Sequence, residues 1–143
     1  MTLQEGDQLP EFTLQNQDGE TVSSEDMNEA LIYFYPKAST PGCTKQACNF
    51  RDNISDLENA GTTVYGISTD TVEKQKKFHD ENSLNFDLLA DKDKEVAKKF
   101  GVFRKVMRVA ERTTFLIRDG EIVKVFEKVD PEEHIEEVLD YLD

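Results

Sequence analysis

Residues 30–36, "ALIYFYP", form a continuous apolar run that ends at a proline. An apolar run of this length without polar alternation predicts a β-strand that is buried on both faces. The run is far shorter than the roughly 20 apolar residues of a membrane-spanning helix. A strand of this kind belongs inside a sheet that other layers cover on both sides.

From Gly42 onward the apolar residues follow helical spacing. Steps of four, three, four and three residues predict one amphipathic helix, whose buried stripe consists of Cys43, Ala47, Phe50, Ile54 and Leu57. Gly61 stands where a left-handed residue would end that helix. The change of period after residue 36 therefore predicts a strand that leads through a short loop into a helix.

Strands and helices alternate through the middle of the chain, and a hairpin stands near each end. In chain order the predicted elements are a hairpin (11–24), the strand 30–36, the helix from Gly42, a strand (62–68), a helix (70–82), a strand (85–90), a helix (91–101), a hairpin (112–126) and a helix (130–142). Their turns and ends are marked by Asp18-Gly19, Asp70, Gly101, Asp119-Gly120, Asp130 and Pro131. This order predicts an α/β protein with a mixed central sheet, helices on both faces and an N-terminal β-hairpin, in a single domain of residues 1–143.

The chain carries 30 acidic against 17 basic residues, for a net charge of −13. Long-range repulsion at this charge makes nucleic acids and anionic membranes poor partners, so neither is expected. The N-terminal segment "MTLQEGDQLPEF" lacks the basic and apolar regions of a signal peptide, and the cytoplasm is the expected location.

Both cysteines, Cys43 and Cys48, lie in "YPKASTPGCTKQACNFRD", residues 35–52, which contains three basic residues and no acid before its last position. In so acidic a chain this segment predicts an anion site. Two cysteines at this spacing, with His79 and His134 both in charged helical stretches, do not supply a tetrahedral zinc site. Both histidines are interpreted as solvated surface residues, and no metal or other cofactor is expected.

Cys43 falls in the first turn of its predicted helix, where partial positive charge and free N–H groups favour a thiolate. A thiol with an ordinary pKa of about 8.5 is roughly 3% ionised at pH 7, so full ionisation yields only about thirty-fold more nucleophile. A fast reaction also needs groups that align the electrophile and stabilise developing charge, and Thr40, Arg51 and Arg112 are the candidates. Because Cys43 also continues the apolar stripe, a buried and inert thiol remains an open alternative.

Cys48 lies five residues after Cys43 on the same predicted helix. On an intact helix this separation gives a Cα–Cα distance of roughly 8.5 Å, whereas a disulfide needs less than about 7 Å. The pair therefore cannot join unless part of the helix unwinds. Such a pair suits thiols that are separate when reduced and join after one sulfur has been oxidised. Tyr33, Phe34 and Tyr35 are interpreted as core beneath this site.

The segment "PKASTPGC" fits the peroxiredoxin active-site pattern of Pro, three residues, Thr or Ser, two residues and Cys, with Pro36, Thr40 and Cys43 at the marked positions. "TPGCTKQACNFRD", with its second cysteine five residues on, resembles the bacterioferritin comigratory protein subgroup, also called PrxQ. "YGISTD" (65–70) and "RTTFLI" (112–117) are similar to segments of that subgroup. The resemblance extends over nearly the whole chain.

The resemblance implies a thioredoxin-like fold and an atypical 2-Cys peroxidase that reduces hydrogen peroxide and alkyl hydroperoxides. It implies that Cys43 attacks the peroxide oxygen and becomes a sulfenic acid. Cys48 would then condense with it to an intramolecular disulfide that thioredoxin reduces. Under the same resemblance, Thr40 hydrogen-bonds the peroxide, Pro36 shields the sulfenate from water, and Arg112 polarises thiolate and peroxide. Family members need no metal or haem, and a monomer is expected.

Two positions depart from the subgroup. The segment between Gly101 and Arg112 is shorter than is usual there and lacks the glycines common in it, so the substrate range and partner docking at this expected pocket border stay open. Gln46 stands where many relatives have Glu, which is interpreted as a minor change. The resemblance also favours Arg112 over Arg51 as the main catalytic cation.

Two other functions remain open from the residues alone. A protein disulfide oxidoreductase would usually have two cysteines separated by two residues, a shorter spacing than this chain has. A non-enzymatic redox sensor would be oxidised once to signal a partner and would not need rapid recycling. Disulfide formation remodels the helix in a sensor as it does in a peroxidase, so the cysteine spacing is compatible with both.

Overall fold

The computed structural model describes residues 2–142. Its elements are β1 (Thr13–Gln15), β2 (Thr21–Ser23), a 3₁₀ turn (Ser24–Asp26), β3 (Glu29–Phe34), α1 (Pro41–Asp52), α2 (Ile54–Asn59), β4 (Thr63–Ser68), α3 (Val72–Glu81), β5 (Asp87–Ala90), α4 (Glu95–Phe100), β6 (Phe103–Arg104), β7 (Val109–Ala110), β8 (Thr113–Arg118), β9 (Glu121–Phe126) and α5 (His134–Leu142). Every predicted strand and helix has a counterpart, and the short β6–β7 hairpin was not predicted. None of these described helices has the length and apolar character needed to cross a membrane.

Seven strands form one mixed sheet in the order β2-β1-β5-β4-β3-β8-β9. β3, β4 and β5 run parallel because helices connect them, whereas β1–β2 and β8–β9 add antiparallel pairs at the two sides. β3 lies between β4 and β8, and its residues from Ala30 to Phe34 are fully buried. The predicted mixed sheet, its N-terminal hairpin and the doubly covered strand are therefore confirmed.

Side chains alternate across β3 and enter two separate cores. Leu31 and Tyr33 point into the core that α1, α2, α3 and α5 cover, together with Tyr35 just beyond the strand. Ile32 and Phe34 point into the opposite core, which α4 covers. Each fully buried side chain of this size contributes on the order of 2 kcal/mol of hydrophobic stabilisation. Helices on both faces of the sheet are thus confirmed, and Cys43 belongs to the core shared by Tyr33 and Tyr35.

The prediction of one continuous helix from Gly42 past Leu57 was wrong, because the helix breaks at Asn53. The backbone of Asn53 has φ −118° and ψ 16°, and α2 starts directly after it. Its side-chain Nδ2 donates to the carbonyl of Asn49 at 2.8 Å, a local bond that competes with regular helical pairing. The predicted stripe survives the break, since Leu57 is fully buried and Ile54 packs against the same core.

Three predicted helix starts were also wrong. The helix predicted over residues 91–101 begins at Glu95. The N-cap of α3 is Thr71, whose hydroxyl accepts from the Lys74 N–H, while the carboxylate of Asp70 is occupied elsewhere. The last helix begins at His134 rather than at Pro131, and residues 131–133 form turns. The carbonyl of Pro131 accepts a hydrogen bond from the Asn49 side chain, so this segment is tied to α1.

The prediction that both histidines are solvated was wrong for His134, which is fully buried. Its Nε2 lies 2.7 Å from the Thr114 hydroxyl, and its ring packs edge-on against Phe50 of α1 and Phe126 of β9. Nδ1 has no hydrogen-bond partner within residues 2–142. His79 is partly buried, with a side chain that is 20% exposed. The charged neighbours of His134 conceal its position, because adjacent residues of a helix face different sides and His134 shares the buried face of α5 with Ile135 and Val138.

Burial, and secondarily the positive charge of Arg112, lowers the pKa of His134 from 6.5 to about 4. Between these two values the unfolded chain binds a proton that the folded protein does not bind. We therefore expect His134 to favour folding above about pH 6.5 and to lose that contribution, on the order of 3 kcal/mol, as the pH falls towards 4. Urea unfolding of His134→Gln at a series of pH values should give a shallower pH dependence than the wild type. A pH dependence of His134→Gln identical to that of the wild type would contradict the expectation.

Candidate active site

The site lies where β3 ends, and the pairing of β3 with β8 brings its parts together. Phe34, the last residue of β3, stands opposite Thr113, the first residue of β8. Arg112 directly precedes Thr113, so it emerges at the same edge of the sheet as Tyr35. The loop that follows β3 returns the chain over this edge into α1. A cation from the last third of the chain therefore meets the segment that contains both cysteines.

Cys43 occupies the first turn of α1, three residues after the N-cap Thr40, with Pro41 at the first helical position. Its side chain is 1% exposed. The Nη2 of Arg112 lies 3.4 Å from its Sγ. A Cβ at Gly42 would come within 3.3 Å of that same Nη2, so the absence of a side chain there leaves room for the guanidinium. Helix N-terminus and guanidinium both place positive charge beside this sulfur.

Arg112 is held by Gln46 as well as by the sulfur. Its Nη1 donates to Gln46 Oε1 at 2.6 Å, and Gln46 is 1% exposed. None of the ion pairs among residues 2–142 involves Arg112. A neutral amide thus orients the guanidinium without cancelling its charge, which gives the substitution at position 46 more weight than the sequence indicated. Position 46 lies on the Cys43 side of α1 at helical spacing, the signal that sequence reasoning passed over.

Pro36 and Thr40 bracket the loop between β3 and α1. The Thr40 hydroxyl donates to the carbonyl of Lys37 at 2.9 Å, and Thr40 makes no side-chain cap to α1. Tyr33, Phe34 and Tyr35 are fully buried, which confirms that they are core. The prediction that all three lie beneath this site was wrong for Phe34, which points into the opposite core, whereas Tyr33 and Tyr35 share the core of Cys43. Burial raises the pKa of both tyrosines, so their phenols stay neutral below the cysteine.

Both cysteines are free thiols on an unbroken α1. Cys48 is partly buried, and its Sγ lies 3.7 Å from Asn82 Oδ1 at the end of α3. Arg51 also contacts the end of α3. Its Nη1 donates to the Asn82 carbonyl at 2.7 Å, and its Nε pairs with Asp52. Arg112 therefore contacts Cys43, whereas Arg51 lies on the Cys48 side of the helix.

A cavity of about 330 Å³ opens beside the site, lined by Pro36, Arg104, Met107, Val109, Ala110, Glu111, Arg112, Lys128 and Val129. One wall is the β6–β7 hairpin, which contains the basic stretch 104–108. Val106 and Met107 at its tip are 95% and 66% exposed. The loop expected to border the pocket is therefore this hairpin. A larger cavity of about 700 Å³ runs along β1 and the start of α4, and none of the five predicted site residues lines it.

The sequence matches the AhpC/TSA family over residues 5–126. It is 45% identical to peroxiredoxin Bcp of Escherichia coli over 149 aligned positions, covering 98% of this chain and 96% of that protein. It is 46% identical to a putative peroxiredoxin of Mycobacterium tuberculosis over 130 positions, covering 85% of this chain and 83% of the relative.

Solved structures agree with this match. Peroxidoxin BcpB from Mycobacterium tuberculosis superimposes with a TM-score of 0.90 at 34% identity, covering 98% of this chain and 96% of that one. A PrxQ mutant from Xylella fastidiosa gives a TM-score of 0.92 at 29% identity, covering 99% and 96%. The chain has the thioredoxin-like fold of these proteins and belongs to the AhpC/TSA family, as a peroxiredoxin of the Bcp/PrxQ group.

Proposed function

We propose that this peroxiredoxin reduces hydrogen peroxide and organic hydroperoxides through a Cys43 sulfenic acid and a Cys43–Cys48 intramolecular disulfide, and that thioredoxin recycles it. Its family membership supports thiol peroxidase activity in general. The observation that carries the specific roles is the 3.4 Å contact between Arg112 Nη2 and Cys43 Sγ at the N-terminus of α1. This contact favours the buried Cys43 as a working thiolate over the inert thiol that its apolar surroundings would also allow.

In the first step, the Cys43 thiolate attacks one oxygen of the peroxide. The S–O bond forms as the O–O bond breaks, and the departing oxygen takes a proton and leaves as water or an alcohol. Arg112 stabilises the charge on the thiolate and on the departing oxygen. The Thr40 hydroxyl exchanges its bond to the Lys37 carbonyl for one to the peroxide, and Pro36 shields the resulting sulfenate from water.

In the second step, the Cys48 thiol condenses with the sulfenic acid and water leaves. Because an intact helix keeps the two Cα atoms roughly 8.5 Å apart, α1 must unwind in part. Side-chain contacts that oppose this movement, besides the backbone bonds of α1, include the bond from Arg51 to the Asn82 carbonyl and the bond from Asn49 to the Pro131 carbonyl. Each contributes about 1 kcal/mol, so local unwinding is within reach of thermal fluctuation.

An intramolecular disulfide needs no second subunit, so we propose a monomer that acts in the cytoplasm with a dithiol reductant such as thioredoxin. Reduction of the disulfide restores two thiols and lets α1 rewind. A redox sensor would share the first two steps and differ in the third, because its oxidised form would persist.

Replacing each cysteine separately tests the assigned roles. Cys43→Ser should abolish peroxide consumption, because it removes the nucleophile. Cys48→Ser should still consume about one equivalent of peroxide and then stall or over-oxidise, because the sulfenic acid has no thiol to condense with. Peroxide consumption and intact mass under single turnover measure both results. Loss of the first oxidation in Cys48→Ser alone would mean that the two roles are reversed.

Replacing the two arginines of this region tests the cation. Arg112→Gln should lower the second-order rate of Cys43 oxidation by about 10²-fold, because it removes a preorganised charge from the reacting atoms. Arg51→Gln is the matched control and should oxidise at close to the wild-type rate, since Arg51 is bonded to Asn82 and Asp52. Stopped-flow oxidation by hydrogen peroxide measures both rates. The assignment of Arg112 is wrong if Arg51→Gln causes the larger loss.

Adding slightly less than one equivalent of hydrogen peroxide to fully reduced protein tests the complete cycle. We expect rapid loss of both thiols and the intact mass of an intramolecular disulfide, followed by full recovery with thioredoxin and its reductase. Persistence of the disulfide in the presence of thioredoxin would favour the sensor. Strong reduction of insulin without peroxide consumption would favour a protein disulfide oxidoreductase. Oxidation no faster than that of a free thiol would favour an inert Cys43.

A further inference from the structure

Asp70 brings a buried carboxylate to the loop between β3 and α1, although it belongs to the segment after β4. Asp70 is 8% exposed. Its Oδ2 accepts from the backbone N–H of Ala38 at 2.7 Å and from the Ser68 hydroxyl at 2.6 Å. No basic side chain forms an ion pair with it within residues 2–142. The fold therefore places one acid, Asp70, against residues 35–51, which contain no acid of their own.

A buried hydrogen-bond network fixes the position of this carboxylate. Gln75 Nε2 donates to the Ser68 hydroxyl at 3.0 Å and to the Leu89 carbonyl at 2.8 Å. Gln75 Oε1 accepts from the Tyr35 hydroxyl at 2.5 Å. Ser68, Gln75 and Tyr35 are each fully buried. The network joins β3, β4, α3 and β5, so the acceptor for Ala38 is anchored to the rigid part of the sheet.

The loop that Asp70 holds has a backbone conformation that needs support. Ser39, next to Ala38, has a φ of +64°, a left-handed conformation that costs about 1 kcal/mol or more for a residue other than glycine. Such conformations persist when surrounding contacts determine them. The Ala38–Asp70 bond on one side and the Thr40–Lys37 bond on the other fix the residues that flank Ser39.

We infer that Asp70 is a positioning residue for peroxide reduction, acting through the Ala38 N–H on the loop that presents Pro36 and Thr40 to the peroxide. The inference rests on the proposed roles of these two residues. A charge-assisted hydrogen bond of this length is about twice as strong as a neutral one. Displacement of a reacting group by about 1 Å can cost about 10² in rate, so release of this loop should affect the chemistry more than the stability.

Asp91 offers a matched control for Asp70. It is also a buried aspartate, 1% exposed, whose carboxylate accepts from two backbone N–H groups, those of Val96 and Ala97. It lies between β5 and α4, and α4 packs on the opposite face of the sheet from Cys43. Replacement of either aspartate removes buried charge-assisted bonds, but only Asp70 contacts the loop of the proposed site.

The test compares Asp70→Ala, Asp70→Asn and Asp91→Ala in a single turnover with hydrogen peroxide, at a temperature where urea unfolding shows all three to be folded. Asp70→Ala should oxidise Cys43 about tenfold or more slowly, with faster exchange of the Ala38 amide hydrogen. Asp70→Asn should recover most of the lost rate, since its oxygen can accept from both Ala38 and Ser68.

Asp91→Ala should lose comparable stability and keep close to the wild-type rate. If Asp70→Ala does not fold, Ser68→Ala provides the second variant, with a loss of about threefold in the same direction because the carboxylate loses one of its two donors. Equal rates for Asp70→Ala and Asp91→Ala, or no recovery in Asp70→Asn, would overturn the inference. Failure of the wild type and of Asp91→Ala to consume peroxide would instead overturn the proposed function.

Discussion

The antiparallel pairing of β3 with β8 in one register is the constraint on which the site depends. Phe34 stands opposite Thr113, and this places Arg112 beside the end of β3. A slip of one residue would turn every side chain of β8 to the other face of the sheet, since side chains alternate along a strand. Burial of both faces of β3 makes such a slip costly, because each core receives alternate residues of the strand. The hydrophobic pattern therefore fixes the position of the cation proposed to act on Cys43.

The electrostatics of the site depend on the charged and neutral side chains that this register brings near Cys43. Arg112 keeps its full charge beside Cys43 because its second partner, Gln46, is a neutral amide. The acid that does reach the region, Asp70, is turned towards the Ala38 N–H and the Ser68 hydroxyl. A carboxylate satisfied by two donors supports the loop through hydrogen bonds and leaves the guanidinium free for the sulfur. Positive charge near the thiol and a rigid loop can thus coexist in a protein of net charge −13.

The same helix gives the two cysteines opposite requirements. While α1 is intact, Cys43 benefits from its N-terminus and Cys48 is kept at a distance by the helical rise. Formation of a disulfide requires part of this helix to unwind, and it is opposed by the bonds from Asn49 to the turn before α5 and from Arg51 to the end of α3. These few partly exposed bonds are weak compared with the aromatic packing of Phe50 beneath them. The proposed disulfide therefore requires a rearrangement within α1, which contains both cysteines, and none within the sheet.

The sequence by itself determined the order of strands and helices, the doubly buried strand, the position of Cys43 in a first helical turn and the family. These features are local, because the hydrophobic period, the turn residues and the short motif that indicate them each lie within one short stretch of the sequence. The tertiary structure alone decided the burial of His134, the helix break at Asn53, the hydrogen bond between Gln46 and Arg112, and the hydrogen bond between Asp70 and Ala38. Each of these depends on a partner distant in sequence or on competition between hydrogen bonds. Polar side chains have several possible partners, and only packing selects among them.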